Sequence, residues 1–281
     1  MTTIFDNRMC ELGEGPLWHP ERGQLFWFDI LGKRLLTRDG DSPRHWQFED
    51  HVSAAGWVDR DTLLMASETG LYRFDLATGE RDRVAPLEAD NPVTRSNDGR
   101  ADPMGGFWIG TMGKAAEPRA GAIYRYYRGD FRKVHDGITI PNAICFAPGG
   151  RRGYFTDTFG KRVMTQALDA DGWPEGEAEV FLDLRAEGLN PDGAVVDSDG
   201  GVWNAQWGAG RVARYTAQGA FDRAIAVPGT NASCPAFGGP ELTTLYVTTA
   251  RENLDSPDDA QGCVYEAPAG ITGLPEPRVI L

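Results

Sequence analysis

Four oxygen-bearing residues stand at matching places in the chain. Glu14, in ELGEGPLW, precedes Trp27 by 13 residues, and Asn97, in RSNDGRAD, precedes Trp108 by 11. Asn142, in IPNAICFA, precedes Phe155 by 13, and Asp192, in NPDGAVVD, precedes Trp203 by 11. Carboxylate and amide oxygens of this kind, completed by water, suit one hard divalent cation such as Ca²⁺, Mg²⁺ or Mn²⁺, while Zn²⁺ or Fe²⁺ would take fewer ligands. One Pro-Asp-Gly or Pro-Asn turn says little, because Asp and Asn cap turns through their own side chains. Four in one phase say more, and a turn gains little from a glutamate such as Glu14.

The elements that must position them are strands. Six apolar, aromatic-rich segments follow Gly, Asp or Pro turns: GQLFWFDI, DTLLMASE, GGFWIGTM, RGYFTDT, GGVWNAQW and TTLYVTTA. Their central residues, Trp27, Leu64, Trp108, Phe155, Trp203 and Tyr246, are 37, 44, 47, 48 and 43 residues apart. A period in the forties with aromatic strands predicts propeller blades of four short strands. Between them, 70–80, 121–134 and 210–225 each read as strand, glycine turn, strand. The expected fold is therefore all-β, a six-bladed β-propeller forming a single domain over 1–281, with a terminal strand closing the ring. Residues entering the innermost strand of each blade would surround the channel at one end. Four blades would offer oxygen there, and the other two would offer the small residues Ala54 and Ala236.

Charge and composition exclude other classes. A formal charge of −13 without a basic cluster argues against nucleic acid. No apolar run approaches the roughly 20 residues of a membrane span. The opening MTTIFDNRMCELGEGP lacks the charged and apolar regions of a signal peptide, so a cytoplasmic protein is expected. Cys10, Cys145, Cys234 and Cys263 are widely spaced and read as reduced thiols. A monomer or weak homo-oligomer is expected.

The local motifs narrow the chemistry. NPDGAVVDSDGGVW is not an EF-hand loop, which needs oxygen ligands at alternating positions and a glutamate at the twelfth. Asp197 and Asp199 read instead as hairpin-turn residues. The four histidines show no ligand spacing, and neither HExxH nor GxSxG occurs.

Taken in order, ELGEGPLW, RSNDGRADPMGGFWIGTM, IPNAICF, NPDGAVVDSDGGVW and FGGPELTTLYVTTAR resemble the senescence marker protein/gluconolactonase/luciferin-regenerating-enzyme family, from about Glu11 to Arg251. The resemblance implies one divalent metal in the channel of a six-bladed propeller, held by Glu14, Asn142 and Asp192. It implies that Arg95 and Asn97 hold the carbonyl and hydroxyl groups of a substrate, and that Glu117 faces sugar hydroxyls. The expected activity is hydrolysis of a small-molecule sugar-acid lactone, with the metal polarising the carbonyl and Asp192 as general base. Three alternatives remain at this point: a non-enzymatic calcium-binding regulator, a metal-dependent esterase or organophosphate hydrolase on the same scaffold, and a protein-interaction propeller.

Overall fold

Each of the six aromatic segments forms the second strand of a four-stranded antiparallel sheet, and the six sheets make a β-propeller. The computed structural model covers residues 1–281. The first strands are Gly13–His19, Val52–Asp59, Thr94–Ala101, Pro141–Phe146, Asn190–Val196 and Asn231–Gly238, and nearly every residue in them is buried. Fourth strands such as Ser42–Gln47 and Phe221–Ala226 are mostly exposed. Burial thus falls from the axis outward.

A single blade cannot cover both of its faces, so the core lies between blades. Six hydrophobic clusters fill the six seams. Leu35 and Phe26 of the first blade meet Leu63 and Phe74 of the second, and Trp108 of the third meets Phe155 of the fourth. The last seam joins Trp27 of the first blade to Tyr246 of the sixth. Closure is by hydrogen bonding as well, because Thr3–Asp6 is the outermost strand of the sixth blade and pairs with Val264–Pro268. The terminal strand expected to close the ring is the N-terminal one.

The site-bearing residues are aimed by a recurring irregularity. Pairing between first and second strands slips near the mouth in every blade, at Glu14/Leu17, Val52/Ala54, Ser96/Gly99, Asn142/Cys145, Pro191/Ala194 and Ala232/Pro235, and the second blade slips again at Trp57/Asp59. A bulge bends its strand and redirects the side chain it carries. This register corrects one expectation. Three residues after each oxygen-bearing residue the strands are paired again, as Leu17↔Phe26, Arg100↔Trp108, Cys145↔Tyr154 and Val195↔Trp203. The same rung is Gly56↔Leu64 in the second blade and Ala236↔Tyr246 in the sixth. The counterparts are therefore Ser53 and Ser233, 11 and 13 residues before Leu64 and Tyr246, not Ala54 and Ala236. Both serines are buried and tie neighbouring blades together. Ser53 Oγ donates to Ser96 Oγ at 2.8 Å, and Ser233 Oγ donates to the Gly13 carbonyl at 2.5 Å.

At the other end of the first strands, the turns of the third and fifth blades are held by buried aspartates. Asp197 accepts hydrogen bonds from the Asp199 and Gly201 amides and from Trp203 Nε1, and pairs with Arg214 Nε at 2.7 Å. Asp102 repeats the arrangement with Met104, Gly106, Trp108 Nε1 and Arg125. Asp197 is thus a turn residue, as its sequence suggests, but also a clamp that fixes the anchor tryptophan. Beyond these turns the C-terminal segment crosses the channel. Its Gly273 amide bonds to Leu242 O, Val279 to Trp57 O and Ile280 to Gly105 O, each at 2.8 Å. Glu276 reaches inward to a buried ion pair with Arg100 at 2.9 Å.

The two aspartates of the SDG turn should differ sharply on substitution. Asp197→Ala removes the acceptor shared by two turn amides, Trp203 Nε1 and Arg214 Nε, leaves Arg214 paired only with Asp222, and is expected to cost about 2–4 kcal/mol. Asp199→Ala, on an exposed side chain, should stay within about 0.5 kcal/mol. Urea denaturation of both variants checks this; equal midpoints would remove the clamp role.

Candidate active site at the channel mouth

At the bulged end of the first strands lies a cavity of about 470 Å³, lined by Glu14, Arg95, Asn97, Asn142 and Asp192 among others. These five side chains come from blades one, three, four and five, and each is only 3–5% exposed. A chain of hydrogen bonds fixes their orientation. Arg95 Nη1 donates to Asn97 Oδ1 at 2.8 Å and to the Ser96 carbonyl. Asn97 Nδ2 donates to Asn142 Oδ1 and to the Pro141 carbonyl, both at 3.0 Å. Asn142 Nδ2 in turn donates to Thr158 Oγ1 at 2.9 Å, and Thr158 donates to the Pro191 carbonyl at 2.7 Å. The amide proton donors of Asn142 are thereby directed away, and Oδ1 keeps a second lone pair.

The carboxylates are less well supplied. Neither Glu14 nor Asp192 forms an ion pair; Glu14 Oε2 accepts only from the Gly15 amide, at 2.9 Å. Burial, then the charge of Asp98, pushes Glu14 up to about 8, with the Gly15 amide and Arg95 offsetting part of that. Asp192 is held well above the ordinary carboxylate range by burial, then by Glu14 and Asp98. Asp98, just below, is raised to about 6 by burial and accepts from the Ile144 amide at 2.7 Å. Negative groups this concentrated stay ionised together only if positive charge joins them.

That is the test a divalent cation must meet, and the residues fit it. No group of three His, Cys, Asp or Glu side chains could hold a metal. The donor set is instead two carboxylates and one amide oxygen, all hard ligands suited to Ca²⁺, Mg²⁺ or Mn²⁺.

Of the six residues expected at the site, Glu117 does not line the cavity. Its Oε2 turns back to accept from the Ala115 amide at 3.1 Å, and its loop neighbours Lys114, Ala115 and Ala116 face the opening instead. Lys114, Thr158, Trp207, Glu252 and Asn253 also line the wall, and sequence reasoning did not single them out. They share a signal that could have found them. Each lies at or just beyond the end of a second strand: Phe107–Gly113, Arg152–Asp157, Val202–Trp207 or Thr244–Ala250. The first-strand starts and second-strand ends are adjacent in an antiparallel pair, so both rows meet at one mouth.

Comparison with known proteins places the chain as a whole in company. A family model described as SMP-30/Gluconolactonase/LRE-like region matches residues 12–251. The pentonolactonase XacC of Haloferax volcanii is 35% identical over 99% of this chain and 97% of its own length. An L-arabinolactonase of Azospirillum brasilense is 36% identical, covering 92% of this chain and 86% of that protein. Among solved structures, a calcium-binding protein, regucalcin, from Agrobacterium tumefaciens superposes with a TM-score of 0.94 at 42% identity, over 99% of this chain and 97% of the other.

The site charges set a pH-dependent response to cations. Glu14 has a folded pKa near 8 against an ordinary 4.5, so its contribution to stability is fully present below about 4.5 and is lost as pH rises through 8. A bound cation removes that loss. Saturating Ca²⁺ or Mn²⁺ should therefore raise Tm more at pH 8.5 than at pH 5, with about 2.7 kcal/mol gained at a hundredfold excess over Kd. Thermal melts with cation and with chelator at both pH values check this; equal shifts would detach the two carboxylates from cation binding.

Proposed function

The chain belongs to the SMP-30/gluconolactonase/LRE-like family, and from that premise we propose that it is a divalent-metal-dependent hydrolase that opens a sugar-acid lactone to the aldonic acid. The observation that carries this reading is the meeting of Arg95 and Asn97 with Glu14, Asn142 and Asp192 in one cavity. An ion site alone needs no buried guanidinium, whereas a carbonyl compound can use one as a charged donor. The lactonase names of the relatives support the same reading.

In this mechanism Glu14, Asn142 and Asp192 hold the cation, which supplies Lewis acidity at the lactone carbonyl. The remaining work falls to side chains. Arg95 commits Nη1 to Asn97 and Ser96 and lines the cavity, where its guanidinium orients the ester group. Asn97, locked between Arg95 and Asn142, keeps the metal-facing amide in register. Asp192 accepts a proton from the attacking water as the oxygen–carbon bond forms. The same proton passes to the ring oxygen as the ester carbon–oxygen bond breaks, leaving a hydroxyl and a carboxylic acid. The substrate class is a polyhydroxylated lactone, whose reactive ester needs no Ser-His-Asp set.

A calcium-binding role without catalysis is the second reading, and the solved regucalcin relative supports it. A panel of aldonolactones in a pH-stat, with and without chelator, separates the two. Metal-dependent ring opening is expected; cation binding with no turnover of any lactone would leave the regulator. Asp192→Asn keeps an oxygen for the cation but no base, so turnover should fall about 10²–10⁴-fold while calorimetry still detects cation binding. Near-normal turnover in this variant would sink the assignment of the base.

A further inference from the structure

Most of the polar side chains on the cavity wall are already committed. Lys114 Nζ pairs with Glu68 at 2.6 Å, and Glu68 also receives His51. Arg95, Asn97, Asn142 and Thr158 are joined in the hydrogen-bonded chain described above. Glu14 and Asp192 belong to the proposed cation site. Glu252 is different. Its backbone is pinned on both sides, with its amide donating to Glu11 O at 2.9 Å and its carbonyl accepting from Asn231 Nδ2 at 2.9 Å. Glu252 lines the cavity, and its carboxylate accepts no hydrogen bond from the protein. The residue is only partly buried, so this is a rigidly placed acceptor kept open to donors that arrive in the cavity.

We propose that Glu252 is the specificity-determining residue that reads the hydroxyl groups of the substrate, the role the sequence suggested for Glu117. The inference rests on the hydrolase reading for its ligand class, a polyhydroxylated lactone. Two adjacent hydroxyls of such a ring donate in parallel to the two carboxylate oxygens, a charge-assisted pair that an unsubstituted lactone cannot make. Trp207, half-buried on the same wall, offers an apolar surface to the C–H face of the ring. Arg95 lies close enough for its charge to stabilise the ionised form of Glu252, which is otherwise disfavoured by burial. Glu252 thus stays an acceptor facing the substrate hydroxyls, while the ester faces Arg95.

The test uses metal-loaded protein and two matched pairs of ligands. Calorimetry compares a polyhydroxylated δ-lactam, which is not hydrolysed, with δ-valerolactam. Kinetics compare an aldonolactone with δ-valerolactone. Glu252→Ala should weaken the polyhydroxylated lactam and raise KM for the aldonolactone by about 10–100-fold, with kcat changed less. With cation kept saturating, because the Glu252 charge also acts on Glu14 and Asp192, kcat/KM on δ-valerolactone should hold within about twofold of wild type. Glu252→Gln, which keeps an acceptor oxygen, should recover part of the loss. Parallel losses on both lactones, or no loss on either, would overturn the assignment. Lactam binding that depends on Glu252 in a protein that opens no lactone would end the hydrolase reading and leave this one standing. Turnover with polyol binding indifferent to Glu252 would do the reverse.

Discussion

Glu14 and Asp192 are buried within reach of each other's charge and of Asp98, and no side chain forms an ion pair with any of the three. The site is organised around that unbalanced charge. Burial of a carboxylate without a partner costs several kcal/mol, so the protein either protonates the group or recruits a cation. Protonation would spoil Asp192 as a base. The neutral donors nearby, Asn97 and Asn142, orient the site without cancelling its charge. Arg95 is the one buried guanidinium on the wall, and its tether to Asn97 keeps it facing the cavity. Lower in the channel, Arg100 is paired with Glu276, and its charge offsets only Asp98 of the three acidic groups.

The fold was legible because the repeat is written in large residues. Trp27, Trp108 and Trp203 mark second strands, and the segments between them show strand and turn alternation plainly. The oxygen-bearing residues were legible for the same reason, since their offset from an anchor is either 11 or 13 residues. Ser53 and Ser233 obey the same offsets but carry small hydroxyls, and the bulge in each first strand moves the register where a straight count expects none. Side-chain direction on loops was not legible. Glu117 has the right chemistry and lies near the mouth, yet a local hydrogen bond to Ala115 settles where it points. Glu252 lay hidden because its place comes from the end of a second strand, a row that carries no shared residue type from blade to blade.

The third and fifth blades divide their labour along their own length. At the mouth, bulges leave backbone and side-chain oxygens turned to the axis, an arrangement with functional value and a stability cost. At the far end, Asp102 and Asp197 satisfy several donors at once and lock their tryptophans into the seams. Six seams and a hydrogen-bonded closing strand supply the rigidity that lets the opposite end carry frustrated charge.

The C-terminal segment adds a constraint of another kind. It runs beneath the propeller from the sixth blade to the second and third, and Glu276 stoppers the axis beside Arg100. The cavity is consequently a cup rather than a tunnel. Traffic through it is two-way on a single lane: whatever enters must leave by the door it came through, and the next molecule waits until that door is clear.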